Sequence, residues 1–592
     1  MLTDEAIARQ RLTATARGKE PADVYITGAT VLNVYSGELL PRNVAVCGER
    51  IAYVGDRDDA VAGATTVIDG RGYVLCPGYV EPHTHPFVLY NPATLAEASL
   101  QHGVTTIFAD NLELFEQTGV NGFLGAAQAL AQLPIKYYWL ARSHSQSAIE
   151  DEARLYDPAA IGRVLQHDLV KAVGEMTRWP EARAGDPAML KAVQAGLQAR
   201  RRIEGHAAGA AYDKLNALAA VGIESCHEST TAQEAIDRLE LGFATMLRYS
   251  SLRPDLPDLI ELLSRRGISS ARLMLTNDGP SPTFVEEHGL LDGALRVAMD
   301  KGCRPIEAYR MVTLNPAIYF GVDRDLGGIA PGRYADINFL RSLRQPTPAM
   351  VMAKGKVVAR EGQLVERLPE IPWSRWFPPQ WLTPGSWEAR PSDFVPSADR
   401  ALLPTMRLVS AAITRLEESV PCASNRDVPL EVADGSLACL IARDGRRITR
   451  AVLRGAMPRL DAVATTFNSA WEILVLGRRT DAMAQAVNRL LAMGGGLTAV
   501  QDGRTEFELA LPIGGVMSYE SMESLARKSE ALLTVLRSHG YAHHDPLFTL
   551  FFLCADFLPE ARLTPRGLWN VKERRIVAEP EPLRGVSRPG GH

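Results

Sequence analysis

Residues 78–111, GYVEPHTHPFVLYNPATLAEASLQHGVTTIFADN, decide the fold. They read as a strand, a helix and a second strand. The first strand closes on His83 and His85, the helix PATLAEASLQHG carries apolar residues at helical spacing and stops at Gly103, and TTIFADN is apolar and β-branched. The same unit continues downstream. Strand-like KYYWLARS (136–143), KAVGEM (171–176), RRIEGHA (201–207), GIESCHE (222–228), FATMLRYS (243–250) and ARLMLTND (271–278) alternate with helical patterns such as NGFLGAAQALAQL, PAMLKAVQAGLQAR, TAQEAIDRLELG and LPDLIELLSRRG. Eight β units, each followed by a helix, over residues 78–321 fit a closed parallel (β/α)8 barrel. An open doubly wound sheet is the rival, but no Gly-rich dinucleotide fingerprint follows the first strand.

Outward from the barrel, both flanks carry short strands. DVYITGATVLNVYSG, RNVAVCGERIAYVG and TTVIDGRGYVLCPG precede it, and GGIAPGRYADINFL and PAMVMAKGKVVAREGQLV follow it. One small β-sandwich domain built from both flanks, with the barrel inserted, accounts for the pattern. The Trp- and Pro-rich run WSRWFPPQWLTPGSW then reads as a linker or crossing segment. The expected divisions are 1–77 (an N-terminal helix and the first part of the β domain), 78–321 (the barrel), 322–371 (the second part of the β domain) and 372–592 (a separate α+β domain).

Bulk composition narrows the class. The chain has 592 residues, too many for one ordinary domain, with 46% hydrophobic and 22% charged residues, as in a soluble enzyme. A net charge of −5, with no aromatic residues interleaved among basic runs, argues against a nucleic-acid polymer as partner. No apolar run approaches the ~20 residues of a membrane helix, and the polar N-terminus does not read as a signal peptide. The seven cysteines are scattered, with no C-x-x-C pair, so a reduced, cytoplasmic protein without a cysteine zinc site is expected. A homodimer is the expected assembly.

The chemistry sits where barrel enzymes keep it, at the C-terminal strand ends. His83 and His85 close the first strand, and i, i+2 spacing lets both imidazoles face one ion. Glu175 ends the fourth strand, His206 the fifth, His227 the sixth and Asp278 the eighth. Each alone has an ordinary explanation: a surface H-x-H, a rim ion pair, a hydrogen-bonded structural histidine, a turn aspartate. Jointly, four histidines and two carboxylates around one mouth make a metal centre, and imidazole with carboxylate suits zinc, iron and related divalent ions. His144 lies after the third strand on the correct face to touch a substrate. His102 reads as a helix-end residue beside Gly103. His539, His543 and His544 read as solvated loop residues. Lys171 falls too early in its strand to compete with Glu175 as a bridge between ions.

These motifs resemble the amidohydrolase superfamily, in PGYVEPHTH and in the return TLNPAIYFGVDRDLGGIAPGRYADINFL. More specifically, VGEM, EGHAAG, HESTTAQEA, AVNRLLAMGGGLTAV, ELALPIGGVMS and LTPRGLWNV resemble bacterial adenine deaminases, over nearly the whole chain including its C-terminal domain. The resemblance implies a binuclear centre of iron or manganese, with zinc as the alternative. His83 and His85 would hold one ion, His206 and His227 the other, Glu175 would bridge them, and Asp278 would contact the metal. It also implies that a metal-activated hydroxide attacks C6 of a purine, with Asp278 moving protons and Glu175 or Glu228 supplying the ring-nitrogen proton. Asn111, His144 and Arg248 are the candidate substrate contacts.

The chain departs from the family's pattern in four places. The eighth strand ends Thr276-Asn277-Asp278 instead of T-D-D. The seventh ends MLRYSS, without an acidic residue after the arginine. The third-strand loop is RSHSQS. The His-Asp-Ser-His-Asn run of the C-terminal domain is replaced by ATTFNSAWEILVLG (464–477), with Phe467 and Trp471 in it. The metal core is kept while the expected substrate shell changes, which fits a branch acting on N6-substituted adenine. Two other readings stay open. One is an amidohydrolase for a cyclic amide or N-acyl compound. The other is a metal-free, non-catalytic ligand-binding paralogue.

Overall fold

The computed structural model describes residues 3–58, 63–260, 268–377, 382, 387–396, 402–421 and 435–583. Part of the helical pattern at 256–267 and Cys422 lie outside them. Among the described residues, no helix is long and apolar enough to cross a membrane.

Eight parallel strands follow one another in sequence order: Tyr79–Thr84, Val104–Asp110, Lys136–Ala141, Val170–Met176, Arg202–Gly205, Ser225–Cys226, Ala244–Arg248 and Leu273–Thr276. These are the eight strands read from the sequence. Side chains close the seam between the first and the eighth. Thr276 Oγ1 lies 2.7 Å from His83 O and 2.6 Å from Glu81 Oε1, with one hydroxyl proton between the two oxygens. Glu81 Oε2 accepts from Asn277 N at 3.0 Å, and Thr84 Oγ1 donates to Asp278 O. Burial pushes the Glu81 carboxyl up to about 8.

Inside the barrel, Val80, Phe108, Leu140, Ala172, Met246 and Met274 form an apolar layer, with Phe320 entering from the helix Leu314–Tyr319 end. The Phe108 and Phe320 rings stack at 3.7 Å. Two residues beyond this layer the same strand face carries polar groups: Phe108 leads to Asp110, Leu140 to Arg142 and Met246 to Arg248. Apolar packing below therefore fixes the height at which the polar groups above emerge.

The flanks pair in one nine-stranded sheet. Val74–Pro77, which leads into the barrel, lies between Val24–Asn33 and the returning strand Ile337–Leu340. At the N-terminus, Thr3 caps the helix Asp4–Ala16.

The C-terminal part has a second nine-stranded sheet, packed on the helix Thr480–Met493, and a three-stranded sheet. Several of its segments reach the barrel mouth. Met517–Ser518 pairs with Leu89–Tyr90, just after the first barrel strand. The helix Pro546–Phe552 brings Phe551 against Phe87.

The Phe108–Phe320 stack yields a stability prediction. Phe108→Ala removes a fully buried ring and is expected to cost about 3–5 kcal/mol, read as a lowered thermal unfolding midpoint. An unchanged midpoint would show that this layer does not hold the barrel together.

Candidate metal centre

The irregular end of the first strand turns two imidazoles to one point. His83 Nε2 and His85 Nε2 lie 3.3 Å apart. Asp278 Oδ1 is 3.6 Å from the first and 3.1 Å from the second. Glu175 Oε1 is 3.5 Å from His85 Nε2. The other oxygen, Glu175 Oε2, lies 2.6 Å from His206 Nδ1 and 3.0 Å from His227 Nε2, and those two nitrogens are 3.2 Å apart. All six residues expected as ligands are thus brought together. His83, His85 and Glu175 form one compact triad, and Glu175, His206 and His227 form another.

The donor set fits divalent ions. Two groups of nitrogen and oxygen donors share one carboxylate, and Asp278 Oδ1 is buried without a hydrogen-bond donor. A carboxylate shared between two histidine pairs is an arrangement that could hold two adjacent cations. His83 is oriented from behind: its Nδ1 is 3.1 Å from Glu204 Oε2, the outer-shell partner that fixes ring and tautomer in histidine ligands.

Three arginines neutralise the carboxylates from outside. Arg142 is fully buried. Its Nε donates to Asp110 Oδ2 at 2.5 Å, its Nη2 to Glu175 Oε1 at 2.5 Å, and its Nη1 to Glu175 O at 3.1 Å. Gln146 Nε2 adds a bond to Glu175 Oε1 at 3.2 Å. Burial alone raises the Glu175 carboxyl, but His206 and Arg142 outweigh it and hold it well below the usual carboxylate range. Arg248 Nη1 donates to Glu228 Oε1 at 2.5 Å and also to Asp278 Oδ2. Arg253 Nη1 donates to Glu228 Oε2 at 3.1 Å. Against burial, Arg248, His206 and Arg253 hold Glu228 down at about 2. Both carboxyls named as ring-nitrogen proton donors are therefore ionised here, and each must gain a proton before it can give one.

The candidate substrate contacts fare differently. Arg248 faces the centre but is engaged by Glu228 and Asp278. Asn111 Oδ1 accepts from Arg142 N at 2.9 Å, while its Nδ2 has no partner. His144 is buried and its Nε2 lies 3.0 Å from Thr177 Oγ1; burial, with Arg178 and Arg142 nearby, holds it well below its ordinary value, so the ring is neutral. His102 caps its helix and pairs with Asp292 at 3.1 Å. Lys171 lies over the Tyr138 ring at 5.0 Å, away from Glu175. His539 corrects the expectation of a solvated loop: it caps the helix Met522–Ser538 and its Nε2 lies 3.0 Å from Glu506.

Sequence reasoning missed Asp110, Arg142, Glu204 and Gln146. A usable signal existed for two of them, since Asp110 and Arg142 are charged residues directly after apolar strands that must face the same interior.

The centre lies beneath a C-terminal domain, and comparison with known proteins covers both parts. Residues 74–358 match the amidohydrolase family, and residues 412–575 match the adenine deaminase C-terminal domain. A putative adenine deaminase of Halalkalibacterium halodurans is 34% identical over 571 residues, covering 96% of this chain and 97% of its own. The chain belongs to the adenine deaminase family. Another member, the adenine deaminase of Moorella thermoacetica, is 35% identical over 582 residues, again covering 96% of this chain and 97% of its own. As a member of this family the chain is a hydrolase acting on C–N bonds. Among solved structures, a β-aspartyl dipeptidase from Fervidobacterium islandicum aligns with a TM-score of 0.46 at 16% identity, over 58% of this chain and 98% of its own. An adenosine deaminase from Xanthomonas campestris with bound zinc aligns with a TM-score of 0.43 at 14% identity, over 59% and 95%.

Arg142 gives the test of this arrangement. Arg142→Met leaves two buried carboxylates without their cation and is expected to cost about 3–5 kcal/mol, seen in the thermal midpoint. Arg142→Lys keeps the charge but not the three-point fork, and is expected to recover only part of the loss. Equal midpoints for Met and the parent would contradict the assigned pairing.

Proposed function

We propose that this hydrolase deaminates a free 6-aminopurine base, adenine or N6-methyladenine, to hypoxanthine, and that it uses two divalent metal ions to do so. The observation that carries the reading is the pair of donor triads sharing Glu175, set beneath a C-terminal domain of adenine deaminase type. His83 and His85 would hold one ion and His206 and His227 the other, with Glu175 between them. Such a pair, when bound, lowers the pKa of a shared water toward neutrality.

The remaining steps belong to the chain. Asp278 Oδ1 faces His83 and His85 with no donor of its own, so it is the base that takes the proton lost by the attacking water. Arg248 holds the other oxygen of Asp278 and aims the free one inward. Glu228 Oε1 lies 3.8 Å from His206 Nδ1 and 3.7 Å from His227 Nε2, and shares Arg248 Nη1 with Asp278. In its ionised state it accepts a proton and passes it to the ring nitrogen. The two protons that water gives up supply the ring and the departing amine, which leaves as ammonia or methylamine.

The aromatic surroundings bear on the 6-substituent. Phe87 packs edge-on against His85 at 5.7 Å, and Trp471 and Phe551 pack against Phe87 at 5.9 and 6.0 Å. The segment 464–471 thus reaches the centre through Phe87, with apolar rings where the family's polar run is missing. A buried methyl group is worth about 0.8 kcal/mol, only a few-fold in selectivity. Stronger preference comes from the absence of groups that bind a free amino group.

Three measurements test the proposal. Protein prepared with iron, manganese or zinc is expected to hold close to two ions per chain by elemental analysis, with His83→Ala or His206→Ala losing metal while staying folded. A fully active, metal-free protein would end the reading. Asp278→Asn is expected to lower kcat by about 10²–10⁴-fold with metal largely retained, and parental turnover would move the base elsewhere. N6-methyladenine is expected to have a kcat/KM at least equal to that of adenine, with methylamine as product. A clear preference for adenine would leave ordinary adenine deamination standing and remove the N6-alkyl branch.

A further inference from the structure

A second aromatic ring stands at the other end of the centre. Phe557 meets the His206 ring edge-to-face at 5.3 Å and 83°. It is half-buried, whereas Phe87, at the His85 end, is 4% exposed. Phe551 and Phe552 connect the two ends: Phe87 to Phe551 at 6.0 Å, Phe551 to Phe552 at 5.2 Å, and Phe552 to Phe557 at 6.2 Å. Phe551 and Phe552 at the end of the helix Pro546–Phe552 thereby link the ring at the His85 end to the ring at the His206 end. Of that row, Phe557 keeps exposed surface while touching a metal-ligand candidate.

The residue before it is tied down on the barrel side. Asp556 Oδ2 accepts from Arg178 Nη2 at 2.7 Å, and Asp556 N donates to Gln146 O at 2.9 Å. Arg178 Nη1 is also 2.8 Å from Glu152. Gln146 in turn bonds Glu175 Oε1 at 3.2 Å. Two charge-assisted contacts and a backbone bond therefore fix where residue 557 stands relative to the shared carboxylate.

We propose that Phe557 is a substrate-contacting residue whose ring stacks on the planar base beside His206, and that Asp556 and Arg178 are the positioning pair that holds it there. This rests on the purine reading above. Stacking suits a base because each heteroaromatic ring offers an apolar face, whereas its edge must meet polar groups; the ring row supplies the first and the carboxylates the second.

The test is steady-state kinetics on metal-loaded, full-length protein with adenine and N6-methyladenine, beside metal content and circular dichroism. Phe557→Ala is expected to raise KM by about 10-fold, in line with the cost of removing one base-stacking ring, with two ions per chain retained. Phe557→Tyr is expected to restore KM to the parental range. Asp556→Asn is expected to raise KM in the same sense, by less, with metal content unchanged. A Phe557→Ala protein whose KM stays within about twofold of the parent, or one whose kcat falls with loss of metal, would make Phe557 a structural plug and overturn the inference while purine turnover stands. A parent that turns over neither base would overturn both.

Discussion

Burying negative charge at one barrel mouth is the constraint on which the rest of the structure depends. Asp110, Glu175, Glu204, Glu228 and Asp278 are each no more than 9% exposed, and buried carboxylates cannot persist as anions without paired cations and hydrogen bonds. The chain meets this with a division of sides. Arg142, Arg248 and Arg253 approach from the barrel wall and take the outer oxygens. The histidines approach from the mouth and take the inner ones. Glu175 divides its oxygens, with Oε1 on Arg142 and Gln146 and also 3.5 Å from His85, and Oε2 on His206 and His227. Asp278 repeats it, with Oδ2 on Arg248 and Oδ1 toward His83 and His85. Each arginine hydrogen-bonds in a fixed direction, so neutralising the acids and aiming them are one act.

This polar layer can be held only because the layer below it cannot move. Phe108, Leu140 and Met246 are locked in the apolar interior, and the two-residue strand repeat carries Asp110, Arg142 and Arg248 to fixed heights above them. The seam needs its own device, because the first and eighth strands are joined by few backbone bonds at the top. Glu81 and Thr276 provide it, through side-chain bonds that tie the strand bearing His83 to the strand bearing Asp278.

Much of this was legible in the sequence, and the boundary has a physical meaning. Strand periodicity and helix spacing are local, so all eight barrel strands and the pairing of the two flanks could be read from segments a few residues long. The six ligand candidates were legible because histidine and acid at strand ends recur around the barrel, and repetition turns weak signals into a strong one. Glu204 was not, because one charged residue in a strand looks the same whether it lines a rim or lies at 0% exposure behind a candidate ligand. His539 was misjudged for a similar reason: its partner, Glu506, is on a distant strand. The aromatic row escaped entirely, since Phe87 and Phe551 meet only through the tertiary fold.

Residues 464–471 show how an apolar wall can be built from a polar loop. Asn468 holds the loop, donating from Nδ2 to Glu472 O at 2.7 Å and accepting at Oδ1 from Ala470 N at 3.1 Å. Trp471 then adopts φ +55, a left-handed conformation that a bulky side chain rarely takes. That turn sends its indole toward the barrel, where Nε1 donates to Glu116 Oε2. Tyr156 shares the same carboxyl at 2.6 Å, and burial pushes it up to about 7. The one polar atom of the indole is thus satisfied away from the candidate ligand histidines, and only the ring is left to meet Phe87. A backbone held off its preferred conformation, with its polar groups paid for elsewhere, is the mark of a position set by what it must face. Here it faces Phe87, which packs in turn on His85, and what it offers there is apolar surface.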